Sequence, residues 1–136
     1  MRSPRLRTCL LLPALVLAVL AAAGCGSAKS YDLAKTRTCL KDAGMKITQP
    51  PRDDVVARSA MAGSFRAVLP KPSDNSVTIS FGESSDDAKN TAEGYVRYHA
   101  QNVGVFDILE VERNAVLLWK EHVSDDDRTA VTGCLK

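Results

Sequence analysis

The chain has 136 residues, 45% of them hydrophobic and 25% charged, with a formal net charge of +2. This composition suits one packed domain and excludes wholesale disorder. Three of the eighteen basic residues (Arg2, Arg5 and Arg7) stand in the first seven positions, which leaves fifteen basic against sixteen acidic side chains in the remainder. A near-neutral body with mixed signs lacks the basic stripe that displaces counterions, so no nucleic-acid partner is expected.

The N-terminus has the layout of an export signal. After the three arginines, residues 10–23 form an uncharged run broken only by Pro13. As a helix this run spans about 21 Å, short of a bilayer core of about 30 Å, so it reads as a secretory signal rather than a permanent span. Small residues then lead to a cysteine. Ala22, Ala23, Gly24 and Cys25 resemble the lipobox of bacterial lipoproteins, although that family usually carries Leu where this chain has Ala22. The resemblance covers residues 1–25 alone. It implies that 1–24 is a lipoprotein signal peptide and that the Cys25 thiol takes a diacylglyceryl group, with acyl chains such as palmitate. The chain would then sit at the extracytoplasmic face of a bacterial cell membrane, held by two acyl chains where one anchors only marginally. Ordinary secretion, or an uncleaved anchor over 8–24, remain open on the same residues. Residues 25–30 follow as the lipidated cysteine and a short spacer, and 31–136 form a single globular domain.

Cysteine parity agrees with this. Cys9 leaves with the signal; if Cys25 is acylated, Cys39 and Cys134 remain as an even pair in an oxidising compartment. A bridge between them is expected. It would tie the first helix of the domain to its last residues.

Along the domain, Ser30 is a fair N-cap for a helix over 31–43, with Gly44 as its stop. Residues 45–48 suit a short extended segment, and 53–62 a second helix ended by Gly63. Phe65, Ala67 and Leu69, then Val77, Ile79 and Phe81, alternate with their neighbours and predict two strands joined across the loop 70–75. Ser84-Ser85-Asp86-Asp87 has the form of a capping box and opens a helix over 85–102. On that helix Ala88, Ala92, Tyr95, Val96, His99 and Val103 form the apolar stripe, and Lys89/Glu93 and Glu93/Arg97 are i,i+4 pairs. Gly94 is either a cost or a point of close packing. Residues 105–112 and 115–122 read as a second hairpin turned at Arg113-Asn114, and Ser124 with three aspartates opens a last helix. The expected fold is α+β and two-layered, in the order ααββαββα. Its antiparallel sheet has four or five strands with helices mainly on one face. A strand at 45–48 would give the ferredoxin-like order over 45–112.

Chemical motifs are sparse. His99 belongs to a helix's apolar stripe and His122 to a strand end, and neither has ligand spacing. Asp125, Asp126 and Asp127 run consecutively, unlike the alternating acids of a calcium loop, and read as a helix start. No catalytic residue, metal site or cofactor is identified. Charge is unevenly spread: residues 29–71 hold nine basic and four acidic side chains, and 72–136 hold six and twelve. Lys29, Lys35, Arg37, Lys41 and Lys46 adjoin the anchor and could rest on anionic headgroups, at about 1 kcal/mol each. The reading that follows is a lipid-anchored binding module for an envelope protein or cell-wall partner, and not an enzyme. A small-ligand carrier, with a pocket ringed by Tyr95, Phe106 and Trp119, is the first alternative; a small extracytoplasmic enzyme is the second.

Overall fold

Residues 29–98 and 104–136 are described by the computed structural model of the chain. The expected signal segment 1–24, the lipobox-like Ala22, Ala23 and Gly24, the acylation candidate Cys25, and His99 and Val103 lie outside the described residues.

Two hairpins frame the sheet. β2 (Ser64–Val68) pairs antiparallel with β3 (Ser76–Phe81), setting Phe65 opposite Ile79 and Ala67 opposite Val77. β4 (Leu109–Glu112) and β5 (Ala115–Trp119) turn at Arg113-Asn114, as the sequence predicts. The left-handed residue there is Arg113 (φ 53°), not the asparagine. The short segment at 45–48 is a true strand, β1 (Lys46–Thr48), so the described sheet has five strands in the order β1-β2-β3-β5-β4, all antiparallel.

Residues 46–112 follow the β-α-β-β-α-β order, but the ferredoxin-like pairing is absent. There, a split β-α-β unit separates its first two strands; here β1 lies directly beside β2. The helix between them, α2 (Val55–Arg58), is a single turn, shorter than the expected 53–62. Residues beyond it are drawn into the sheet: Ala62 donates to the Phe81 carbonyl, and Phe81 donates to that of Gly63, whose φ is 90°. α3 (Ser85–Tyr98) does cross over, carrying the chain from β3 to the far edge so that β5 folds back between β3 and β4.

The α+β class and antiparallel sheet match expectation, but the helices are divided between the two faces. α1 (Leu33–Asp42) and α5 (Asp125–Thr132) cover one side, where Leu40, Val131 and Leu135 meet Phe65, Ala67, Val77, Ile79, Phe81, Leu117 and Trp119. α2 and α3 cover the other, packing Val56, Ala57, Ala88 and Tyr95 against Val116. The physical reason lies in β3. Its Ser76, Thr78 and Ser80 alternate with apolar residues and so resemble a wetted face, yet all are buried. The Ser76 hydroxyl accepts two guanidinium bonds from Arg66, at 3.1 and 2.8 Å, and the Ser80 hydroxyl lies 3.4 Å from that of Tyr95. Buried polar groups with partners can face a helix as well as water.

Capping explains most helix starts. Asp32, rather than Ser30, caps α1 by accepting from Lys35 N–H at 2.9 Å. At α3 the capping box is reciprocal: Asp87 N–H donates to the Ser84 hydroxyl oxygen, and the Asp87 carboxylate accepts from Ser84 N–H. Ser124 caps α5 through Asp127 N–H. Residues 105–108 depart from the expected strand and form a one-turn helix, α4 (Val105–Ile108), after Gly104 at φ 110°. The run Val105-Phe106-Asp107-Ile108 does not alternate, and strand pairing starts only at Leu109.

The two ends of the domain are fastened together. Cys39 and Cys134 form the expected disulfide, 95 positions apart, joining the end of α1's second turn to the chain just past α5. Asp32 N–H donates to the Lys136 carbonyl, and Lys136 N–H to the buried Thr36 hydroxyl at 3.2 Å.

Candidate functional site

On the α2–α3 side the surface is apolar where a solvated face would be polar. Among the described residues five large apolar side chains are well exposed, and three of them gather here: Val55 (51%), Met61 (68%) and Tyr98 (72%). They border two adjoining depressions of about 330 and 520 Å³ that share Val55, Val56 and Tyr98. Together these make a groove between α2 and α3. Leu118 of β5 and Pro51 close one end; Asn90, Thr91 and Met61 line the other.

The groove exists because the two helices approach closely. A β-carbon at Gly94 would stand 3.3 Å from Val56 Cγ1, so glycine there is a packing point. This resolves the ambiguity of a glycine in mid-helix, which otherwise costs about 1 kcal/mol relative to alanine. Beneath the groove Tyr95 is fully buried, and its hydroxyl donates to the Asp54 carboxylate at 3.3 Å. Burial, chiefly, and the nearby Asp54 charge raise the Tyr95 phenol well above its ordinary range, against a smaller opposing effect of the Ser80 hydroxyl. The phenol is therefore a fixed donor. It holds Asp54, which also caps α2 through Ala57 N–H at 2.9 Å.

Every charged side chain lining the groove is a carboxylate: Asp53 and Asp54 toward the Leu118 end, Asp87 toward the Met61 end. None of the three forms an ion pair among the described residues; Asp54 and Asp87 accept only from neutral donors. The groove thus combines an apolar floor with an uncompensated negative rim.

The other sequence-derived sites fare unevenly. Lys29, Lys35, Arg37, Lys41 and Lys46 are all exposed, but they are not drawn into one compact patch. Lys35 and Lys41 lie about 120° apart around α1 at 100° per residue, with Asp42 between them, and Lys46 stands beyond on the edge strand β1. No described ion pair joins α1 to α5. Arg128 of α5 pairs with Glu110 (2.7 Å) and Asp125 (3.2 Å), and Lys89 pairs with Asp86 rather than Glu93, whereas the Glu93–Arg97 pair forms as expected. Tyr95, Phe106 and Trp119 do not ring a cavity. Trp119 and Tyr95 are buried on opposite faces of the sheet, and Phe106 is exposed. His122 is exposed at the surface. Asp127 accepts from the Ser73 hydroxyl at 2.8 Å and Asp125 is engaged by Arg128, in keeping with a helix start. Among the described residues no group of three His, Cys, Asp or Glu side chains is placed to hold a metal ion, and no helix is long and apolar enough to cross a membrane.

No direct sign of the groove stands in the sequence. Its only trace was Val55 beside Val56: on a helix, adjacent positions cannot both point inward.

Fold and site together define an α+β domain with disulfide-tied ends and an acid-rimmed apolar groove. No family model, curated protein or solved structure matches the chain.

Proposed function

We propose that this chain is a lipid-tethered binding module of the extracytoplasmic face, held by acylated Cys25 and presenting its α2–α3 groove to an envelope partner. The observation that carries the binding role is the clustering of exposed Val55, Met61 and Tyr98 along one groove, since contiguous exposed apolar surface on a small domain marks an interaction site. The Cys39–Cys134 disulfide supports an oxidising compartment, where such bridges persist. Location and tether rest on the lipobox-like residues Ala22, Ala23, Gly24 and Cys25. A small-ligand carrier has less support, because the aromatic residues that would enclose a ligand are split between the two faces.

Fractionation of a bacterial host expressing the full chain tests the tether. The native protein should sediment with membranes and be released by detergent but not by salt, whereas Cys25→Ser should leave the membrane fraction. Salt release of the native chain would point to peripheral attachment and remove the tether.

A further inference from the structure

We propose that the α2–α3 groove takes an extended segment of a partner polypeptide, with apolar side chains on the groove floor and a Lys or Arg toward each end. This rests on the reading of the chain as a binding module and names the chemistry of its partner.

Three observations lead there. The first is length. Asp87 and Tyr98 mark the groove along α3, and eleven residues of helix rise about 16 Å. An extended chain at about 3.3 Å per residue covers that with about five residues. The groove is open along its side, which suits a strand-like segment better than a compact small molecule. The second is floor chemistry: Val55, Val56, Met61, Tyr98 and Leu118 offer apolar contact, and Gly94 keeps the floor low between the helices. The third is charge. Asp53 and Asp54 at one end and Asp87 at the other carry no cationic partner among the described residues, so the lining is negative at both ends and neutral between. Opposed charge steers encounter and fixes register, while like charge rejects wrong partners. An anionic headgroup would meet three carboxylates here, so this face is assigned to a polypeptide and not to the membrane. Of the cations on α2 and α3 away from the Asp86 pair, Arg58 donates to the Arg52 carbonyl and Arg97 pairs with Glu93, so neither is bonded to the three groove carboxylates.

Short random peptides displayed on phage, panned against the full chain purified from whichever cell fraction carries it, test this. Selected peptides should share an apolar centre between two basic residues about five positions apart, and the synthetic consensus should bind less tightly as salt rises. Val55→Asp and Asp53→Lys, both at exposed positions outside the helix caps, should each weaken it by about tenfold or more, with circular dichroism unchanged. Enrichment of acidic or uncharged peptides, no enrichment, or binding as tight as the native chain's by either variant overturns the proposal. So does a concentration-dependent dimer abolished by Val55→Asp, which gives the groove to a second copy. The tether is judged separately. A chain without acylated Cys25 that still selects such peptides loses only its anchor, and an acylated chain that selects none loses only this partner.

Discussion

Asn114 is bound to the backbone of Tyr31, 83 positions earlier, as one strand is bound to another. Tyr31 N–H donates to Asn114 Oδ1 at 2.7 Å, and Asn114 Nδ2 donates back to the Tyr31 carbonyl at 3.1 Å. The same Nδ2 reaches the Gly82 carbonyl at 2.9 Å, and Gly82 N–H donates to the Asn114 backbone carbonyl at 2.7 Å. Arg113 adds its guanidinium, 4.8 Å from the Tyr31 ring centroid and bonded to the Lys29 carbonyl at 3.1 Å. One buried side chain at a turn therefore fastens the entry of the domain to the end of β3.

Asn114→Ala should cost about 2–4 kcal/mol, because it strips partners from three backbone groups at once, each worth about 1 kcal/mol or more when buried. Urea unfolding measures this. Arg113→Ala, losing an exposed cation–π contact, should cost about 1 kcal/mol or less. Equal costs for the two would mean that the stacked guanidinium, not the amide, holds the entry.

Lys29 and Tyr31 are bonded to the β4–β5 turn, so in a chain acylated at Cys25 only four residues of sequence separate the lipid from it. Four residues reach at most about 14 Å, so the β4–β5 turn should lie close to the bilayer surface. The loop 70–75 is at the other end of β3, whose six residues span about 20 Å. A fluorophore attached through Glu112→Cys should be quenched by headgroup quenchers in reconstituted membranes, and one attached through Lys71→Cys should not. The reverse order would refute this orientation.

The Cys39–Cys134 bridge closes a loop of 95 residues. In the chain-entropy model such a loop contributes about 4.7 kcal/mol, an upper figure. Cys39→Ala with Cys134→Ala should lower the unfolding free energy by a few kcal/mol, and reductant should then leave the double variant's melting temperature unchanged. A double variant as stable as the native chain would show that the hydrogen bonds around Asp32 and Lys136 suffice to hold the ends.

Tyr95 supplies a pH signature. Its phenol is raised in the folded state, by burial first, so the native protein keeps a proton that the unfolded chain releases above about pH 10. Stability is thus fully present below the unfolded value and falls as pH climbs past it, by up to about 1.4 kcal/mol per pH unit for this one proton. Tyr95→Phe should flatten that decline and cost about 1 kcal/mol at neutral pH through its lost hydrogen bonds. Parallel alkaline declines in the two proteins would assign the slope to other groups.

What was legible in the sequence follows from local physics. The alternation around Phe65–Leu69 and Val77–Phe81, the capping box at Ser84-Asp87 and the parity of the cysteines are short-range or arithmetical signals, and each fixed its feature. The second buried face was hidden because Ser76 and Ser80 find internal partners for their hydroxyls, and Thr78 is buried between them. The turn at Arg113-Asn114 could be located, but the amide's role could not, since its partners stand 83 and 32 positions away. The groove is a product of tertiary packing: Val55, Met61 and Tyr98 come from different segments, and they meet where α2 packs on α3 through Gly94–Val56 and Tyr95–Asp54.

Intact-mass spectrometry of the native product tests acylation of Cys25 most directly. The predicted species begins at Cys25, bears the added mass of a diacylglyceryl group, and weighs two hydrogens less than its reduced form. A product that retains Met1, or that starts elsewhere with no acyl mass, contradicts it.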